Sequence, residues 1–378
     1  MVANRKEIAD PGTLREGSRD FDADSVYDFL IHPRSGGAAL RICLVRLCST
    51  FLAMAGCAAI CGPLSAAQQQ AAQIVLATCS IDSEIPASER ASIDQAATKF
   101  VQDLTGADAA AAYAAMTPDA KKKMTAQKFN VMAHERIQPA GPFQDIHVTR
   151  TYLVKVASKG ERTAVICGDT SKPEQVANVV PMMIPRQAYA LVDTKAGGES
   201  WAFTLWLIPE QTVWHVQNFQ LGAETLGGRS AGDLAKLAKQ EEDKHHDFNA
   251  YMLYAMALQL SWRGPDLEPD AHVEIQRDMQ TAPKPKDLKE QPGFNWQTNT
   301  SAFKVISMGP IQAEGKLCLR IGQELAPWND DKEADQKNRD LAAAFAKVYP
   351  EYRDVFGGLV VEAHARGSSL THRTLIPN

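Results

Sequence analysis

Four stretches carry residue types at spacings that could do chemistry. Asp145, His147 and His215 lie in alternating apolar and polar runs, where an imidazole and a carboxylate could exchange protons with a bound molecule. His147 has the parity opposite to the hydrophobic residues of its run, and Asp145 shares that outer parity. His215 shares its parity with Val213 and Phe219, which suits a pocket position or a hydrogen-bonded core histidine equally. Glu241 with His245, and Glu242 with His246, stand four residues apart and could present metal ligands on one helix face. Their run, EEDKHHD, is mainly charged and close to a helix end, the pattern of a solvated turn. Gly228-Arg229-Ser230-Ala231-Gly232 matches a nucleophile elbow in letters, but that motif needs a strand running straight into it and a parallel sheet around it. Ser230 with Asp233 three residues on reads instead as a helix cap. The stretch from Gly309 to Leu317 has five residues between its glycines and Leu317 where a phosphate loop needs Ser or Thr. The sequence therefore assigns no catalytic residue, metal site or cofactor.

The bulk numbers narrow the class. The chain of 378 residues suits roughly two domains, at about 150 residues each. Its 45% hydrophobic and 22% charged content is that of a globular protein. A net charge of -5 without clustered Lys and Arg excludes nucleic acid as a partner. Of seven cysteines, Cys43, Cys48, Cys57 and Cys61 sit in one apolar segment, leaving Cys79, Cys167 and Cys318 downstream. Those three allow one bridge and an odd thiol, and no C-x-x-C pair suggests zinc. Alternation groups Cys318 with Lys316 and Arg320, which marks it as the exposed one.

Arg41 and Arg46 precede an uncharged run, LCSTFLAMAGCAAICG, followed by Gly62-Pro63 and the small residues Leu64-Ser65-Ala66-Ala67. Basic flank, apolar core, breaker and small-residue site make residues 41–67 a secretory signal peptide. Lipidation at Cys57 and a single-span anchor over Ile42 to Ile60 are the competing readings. All three put the rest of the chain outside the cytoplasm, periplasmic or secreted. Residues 1–40 are polar and read as a disordered or mis-assigned extension.

The elements that would position a site begin near residue 86. Ser92-Ile93-Asp94-Gln95 reads as a capping box opening a helix that Gly106 ends, with Ile93, Ala97, Phe100, Val101 and Leu104 at helical spacing. A short helix follows around Tyr113 and Met116. Thr117-Pro118 and Thr125 read as caps of two more. After Gly141-Pro142 the period becomes two: Ile146, Val148, Tyr152, Val154 and Val156 alternate, then Thr163 to Cys167, then Ala188 to Val192. Glu199 to Gln220, ESWAFTLWLIPEQTVWHVQNFQ, closes the set as a hairpin with Trp201, Phe203, Leu205 and Leu207 on one face. Helices first and strands after imply an α+β fold with an antiparallel sheet.

This order, with the segment YAAMTPDAKKKM between helices and the final strand TVWHVQNFQ, resembles the nuclear-transport-factor-two-like, or SnoaL-like, superfamily over residues 86–222. The resemblance implies a cone-shaped curved sheet wrapped on the N-terminal helices around a pocket. Family members use that pocket for small ligands, for acid/base catalysis, or not at all, serving in protein contacts. The residues expected to line it are Tyr113, Tyr189, Trp201, Trp214 and His215. Core packing is the competing role for Tyr113, Trp201, Trp206 and Trp214, since large aromatics dominate cores.

Leu226-Gly227-Gly228 reads as a flexible joint leading to a helical hairpin over 228–264. Its string DFNAYMLYAMALQL resembles the second helix of a tetratricopeptide repeat, with Ala250, Tyr254 and Ala257 at the small, aromatic and small positions. A single unit cannot stand as a solenoid, which needs about three. Residues 265–293, rich in proline and charge, read as a linker with a short helix at Val273 to Met279. Residues 294–378 read as a small α/β domain: strands at Phe303–Met308 and Lys316–Ile321, a helix over Asp330–Lys347, and a buried strand at Phe356–Ala363.

The expected role is an exported, non-catalytic binder of a small apolar molecule or an envelope protein partner through the cone. The alternatives are an isomerase or dehydratase using His215 with a pocket carboxylate, and a structural envelope scaffold docking through its helical hairpin. Mass spectrometry of the exported protein should find its first peptide after Ala67; a peptide from residues 1–36 in that material would contradict the signal reading.

Overall fold

The computed structural model describes residues 77–378 apart from 107–108, 157–164, 169–176, 180–183, 286–287, 289–293 and 298–301. The expected signal segment 41–67, the extension before it and Cys57 lie outside the described residues.

The protein is α+β. Strand β1 (Ala77–Ile81) leads to helix α1 (Ala87–Thr105), which buries Ile93, Ala97, Phe100, Val101 and Leu104 on one stripe. The helix starts at Pro86, not at the expected cap Ser92. Nothing in ASERA opposes helix, so it propagates back until proline stops it. Gly106 ends it, as expected. Helix α2 (Ala109–Ala114) is followed by α3 (Pro118–Lys123) and α4 (Ala126–Met132). Thr117 and Thr125 cap the last two by accepting from the amides of Ala120 and Lys128.

Five antiparallel strands then form the first sheet, in the order β1-β2-β5-β6-β7. They are joined by β2 (Gln144–Val156), β5 (Arg186–Ala196), β6 (Glu199–Glu210) and β7 (Val213–Ala223). Gly197 and Gly198, at φ 60 and 84, supply the positive dihedrals of the tight β5–β6 turn. A small sheet of β3 (Val165–Cys167), β4 (Ala177–Val179) and β10 (Leu267–Pro269) lies over the face turned away from the helices.

Register shifts on two strands correct the simple alternation. On β2 the pairing with β5 slips between Val148 and Arg150. Ile146 and Val148 therefore face the helices with Leu153, whereas Tyr152 and Val154 pack on the other side. On β7 the slip falls between the partners of Trp206 and Leu207, leaving Gln217 as the extra residue. Trp214, Val216, Phe219 and Leu221 all consequently face the helices, and Phe219 does not share a face with His215. Both faces are buried, which is why β6 reads as nearly continuous apolar sequence.

A disulfide joins Cys79 in β1 to Cys167 in β3, 88 residues apart in sequence. Among the described residues Cys318 is the free thiol, but it is buried, not exposed as alternation suggested. Ile311 and Val360 beside it make that face of its sheet apolar too.

The expected flexible joint is a hairpin of β8 (Thr225–Leu226) and β9 (Arg229–Ser230), turning at Gly227 and Gly228 with φ 59 and 71. The Glu199 carboxylate holds it by accepting from the Gly227 amide at 2.8 Å and from the Thr225 hydroxyl. Helices α5 (Ala231–Asp243) and α6 (Asp247–Ser261) follow, and α6 is buried almost all round, so it is core and not a free docking face. The expected linker begins with β10, paired to β4, and continues as the twelve-residue helix α7 (Asp270–Thr281).

The second sheet runs in the order β11-β12-β13-β14-β15: β11 (Phe294–Gln297), β12 (Ala302–Ala313), β13 (Lys316–Leu325), β14 (Gly358–Ala365) and β15 (Thr371–Pro377). Only β13 and β14 are parallel, because helix α8 (Asp331–Val348) crosses between them. One apolar cluster runs from Trp201 and Leu226 through α6 to Phe345 and Leu359, so the middle helices and the second sheet share a core with the end of the first. Removing the disulfide with a Cys79→Ser/Cys167→Ser pair should cost about 2–4 kcal/mol, the usual range for a long closed loop. Thermal midpoints with and without reductant check this: wild type should fall and the variant stay put, and equal midpoints throughout would contradict it.

Candidate functional site

The residues expected to line a cone do not come together. Tyr113 and Trp214 share the cluster between the helices and the first sheet. Tyr113 donates its hydroxyl to the Met124 carbonyl at 3.1 Å and packs on Phe129. Tyr189 is on the opposite face, stacked 6.3 Å from Trp206. Trp201 belongs to the large shared core, its indole donating to the Ala196 carbonyl at 3.1 Å. His215 pairs with Ile208 across the sheet, on the face away from Trp214. Aromatic rings occupy the space inside: Phe100 and Phe129 each meet Phe219 edge-on, at 5.3 and 6.2 Å. Asp145 is exposed and 3.3 Å from Lys195, and His147 is exposed beside the Asp145 carbonyl.

Ser230 caps α5, exchanging hydrogen bonds with Asp233 as a capping box. The Glu241 region is not a solvated turn. His245 takes a left-handed φ of 62, which reverses the chain so that His246, and not His245, meets Glu241. Glu241 is 1% exposed, and its oxygens accept from Lys244 at 2.7 Å and from His246 and Asn249 at 2.8 Å. Burial pushes this carboxyl up, but the hydrogen bonds from Asn249, Lys244 and His246 together outweigh it and hold it below the usual range. Glu241, His246 and Asp354 have ligand atoms within 4.8 Å of one another, yet the donors already around Glu241 make the group an ionic latch. Asn249 extends it by donating to the Glu351 carbonyl at 2.6 Å. The latch therefore ties the α5–α6 turn to the 3-10 turn Pro350–Asp354.

That turn forms one wall of the groove that stands out as a site. Arg339, Ala342, Ala343 and Ala346 follow one stripe of α8; Tyr352 and Arg353 come from the turn, Leu359 from β14, and Ile376 from β15. With Pro377 and Asn378 they line an open groove of about 240 Å³. The alanines create the space, because side chains of leucine size would fill it. Gly358 lets the far wall close: a Cβ there would lie 2.7 Å from the Ile376 carbonyl oxygen. The floor is apolar and the rim cationic. Arg339 is held by Asp335 at 2.8 Å. Arg353 lies over the Tyr352 ring, 4.9 Å from its centre, and no carboxylate among the described residues pairs with it. Tyr352 is 2% exposed and lines the groove. Burial pushes its hydroxyl's pKa up, so it stays a proton donor. No Ser, Cys, His, Asp or Glu side chain is among its described lining residues. A second depression, beside Trp206 and Arg263, has about 30 Å³, room for water.

The sequence reading missed this groove. Its one visible signal is the alanine run Ala342 to Ala344 with Ala346, set in an otherwise charged helix. Comparison with known proteins adds no relative: no family model, curated protein or solved structure matches the chain.

Glu241→Gln should destabilise the protein by about 2 kcal/mol at neutral pH, because the hydrogen bonds that Lys244, His246 and Asn249 make to a buried carboxylate lose their charge assistance. A carboxyl held below its unfolded value contributes fully above that value, about 4.3, and loses the contribution as pH falls through the folded one. Denaturant titrations from neutral pH to pH 3 should therefore give a flatter acid limb for the variant. Parallel limbs, or equal stability at neutral pH, would contradict the latch.

Proposed function

We propose that the protein is an exported, non-catalytic binding protein that holds a small apolar or amphipathic molecule in the groove between α8, the 350–354 turn and β15. The observation that carries this reading is the groove itself: about 240 Å³, apolar at its floor, cationic at its rim and with no Ser, Cys, His, Asp or Glu among its described lining residues. Export is supported by the succession of basic flank, apolar run, breaker and small residues in the sequence of 41–67 and by the Cys79–Cys167 bridge, since structural disulfides persist in oxidising compartments.

Within this reading residues 86–222 are a nuclear-transport-factor-two-like unit that serves as scaffold. The aromatic filling between its helices and sheet favours that role over a ligand pocket. An isomerase or dehydratase would need His215 inside with Trp214, and the two residues point to opposite faces.

Thermal-shift titration with hexanol, octanol and decanol tests the groove. At about a hundred times Kd a ligand should stabilise the wild type by about 2.7 kcal/mol. Ala346→Leu, which fills the groove, should abolish that gain. Equal gains in both proteins would move the site elsewhere, and no gain with any alcohol would reject the reading.

A further inference from the structure

We infer that His272 is an acid-triggered release for the arm made of β10 and α7: a charged imidazole frees the arm from α6 and uncovers the apolar outer face of the first sheet. The device is independent of the groove. His272 is 8% exposed and stands in the first turn of α7, just after Asp270 opens the helix. Its Nδ1 lies 2.9 Å from the Oγ of Ser261, the buried last residue of α6. The Ser261 hydroxyl donates its single proton to the Leu258 carbonyl at 3.0 Å, so Nδ1 carries the hydrogen that joins the two helices. Acid adds the second proton on Nε2 and places a cation inside this contact.

Burial opposes that charge most, the Glu268 carboxylate and the Leu258 carbonyl favour it, and Arg263 opposes it; together they hold the imidazole below its ordinary value. The positive pole at the start of α7 adds to the opposition. Residues 250–261 of α6 bring no charged side chain to this end. Elsewhere the arm is held by three residue pairs between β10 and β4 and by the buried Ile275 of α7. Gly264, at φ 105, bends the chain just before β10 and supplies a hinge. Leu267 of the arm packs with Tyr189 and Trp206, so lifting it exposes both rings. Because the imidazole is lowered in the folded protein, the arm keeps its full hold above the unfolded value, about 6.5, and loses it as pH falls through the folded one.

Hydrogen exchange of the full chain at about pH 7.5 and about pH 5, corrected for the intrinsic pH dependence, tests the release. Protection of residues 265–281 should fall several-fold at the lower pH while β14 keeps its protection. His272→Gln, which can still donate to Ser261 but cannot take a charge, should hold the arm's protection at both values. Should that variant not fold, the wild type still decides: the His272 ring protons, followed by NMR, should titrate over the range in which the arm opens, below about 6.5. An arm equally protected at both values, a loss that persists in His272→Gln, a loss shared by β14, or a His272 midpoint apart from the opening overturns the release.

Discussion

Asn338 is the side chain on which the second half of the molecule depends. It is fully buried in α8, accepts from Gln323 at 2.8 Å, and donates to the carbonyls of Val361 and His372 and to the Thr374 hydroxyl at 3.0–3.1 Å. A buried amide satisfied on every side tolerates little displacement, so it fixes the height and rotation of α8 over β13, β14 and β15. With that rotation set, Leu341 and Phe345 enter the shared core, and Ala343 and Ala346 are left facing the end of β15. The groove is thus a by-product of where one helix must sit.

Its other wall is placed from a distance. The Glu241 latch and the Asn249 bond to the Glu351 carbonyl hold the 350–354 turn against the α5–α6 connection. Phe248, Phe345, Tyr349 and Tyr352 stack in contact behind it. Tyr352 and Arg353 therefore stand on rigid supports from three parts of the chain, which is what a preformed site requires. The first sheet contributes through the same continuous core, from Trp201 to Leu359.

Much of this was legible in the sequence, and the limits are physical. The apolar stripe of α1, the threonine caps of α3 and α4, and the α+β order follow from local rules, and the described residues follow them. The bulges at Val148/Arg150 and at Gln217 were not legible, since alternation looks the same whether or not one residue is skipped. That hidden slip put His215 and Phe219 on different faces. Cys318 was misjudged because parity divides a strand into two faces but cannot say that both are buried. The Glu241 pairing was missed because the reversal at His245 changes which histidine comes back. The groove was invisible for a simpler reason: alanines in a helix look like good helix formers, and only tertiary packing turns their small size into space.

Methyl NMR on the chain carries the most direct test of where a ligand sits. On adding octanol, the account predicts shifts for the methyls of Ala342, Ala343, Ala346, Leu359 and Ile376, while Ala97, Ala190 and Val192 beneath the first sheet stay unmoved. Shifts confined to that second group would place the ligand between the first sheet and its helices and contradict the account.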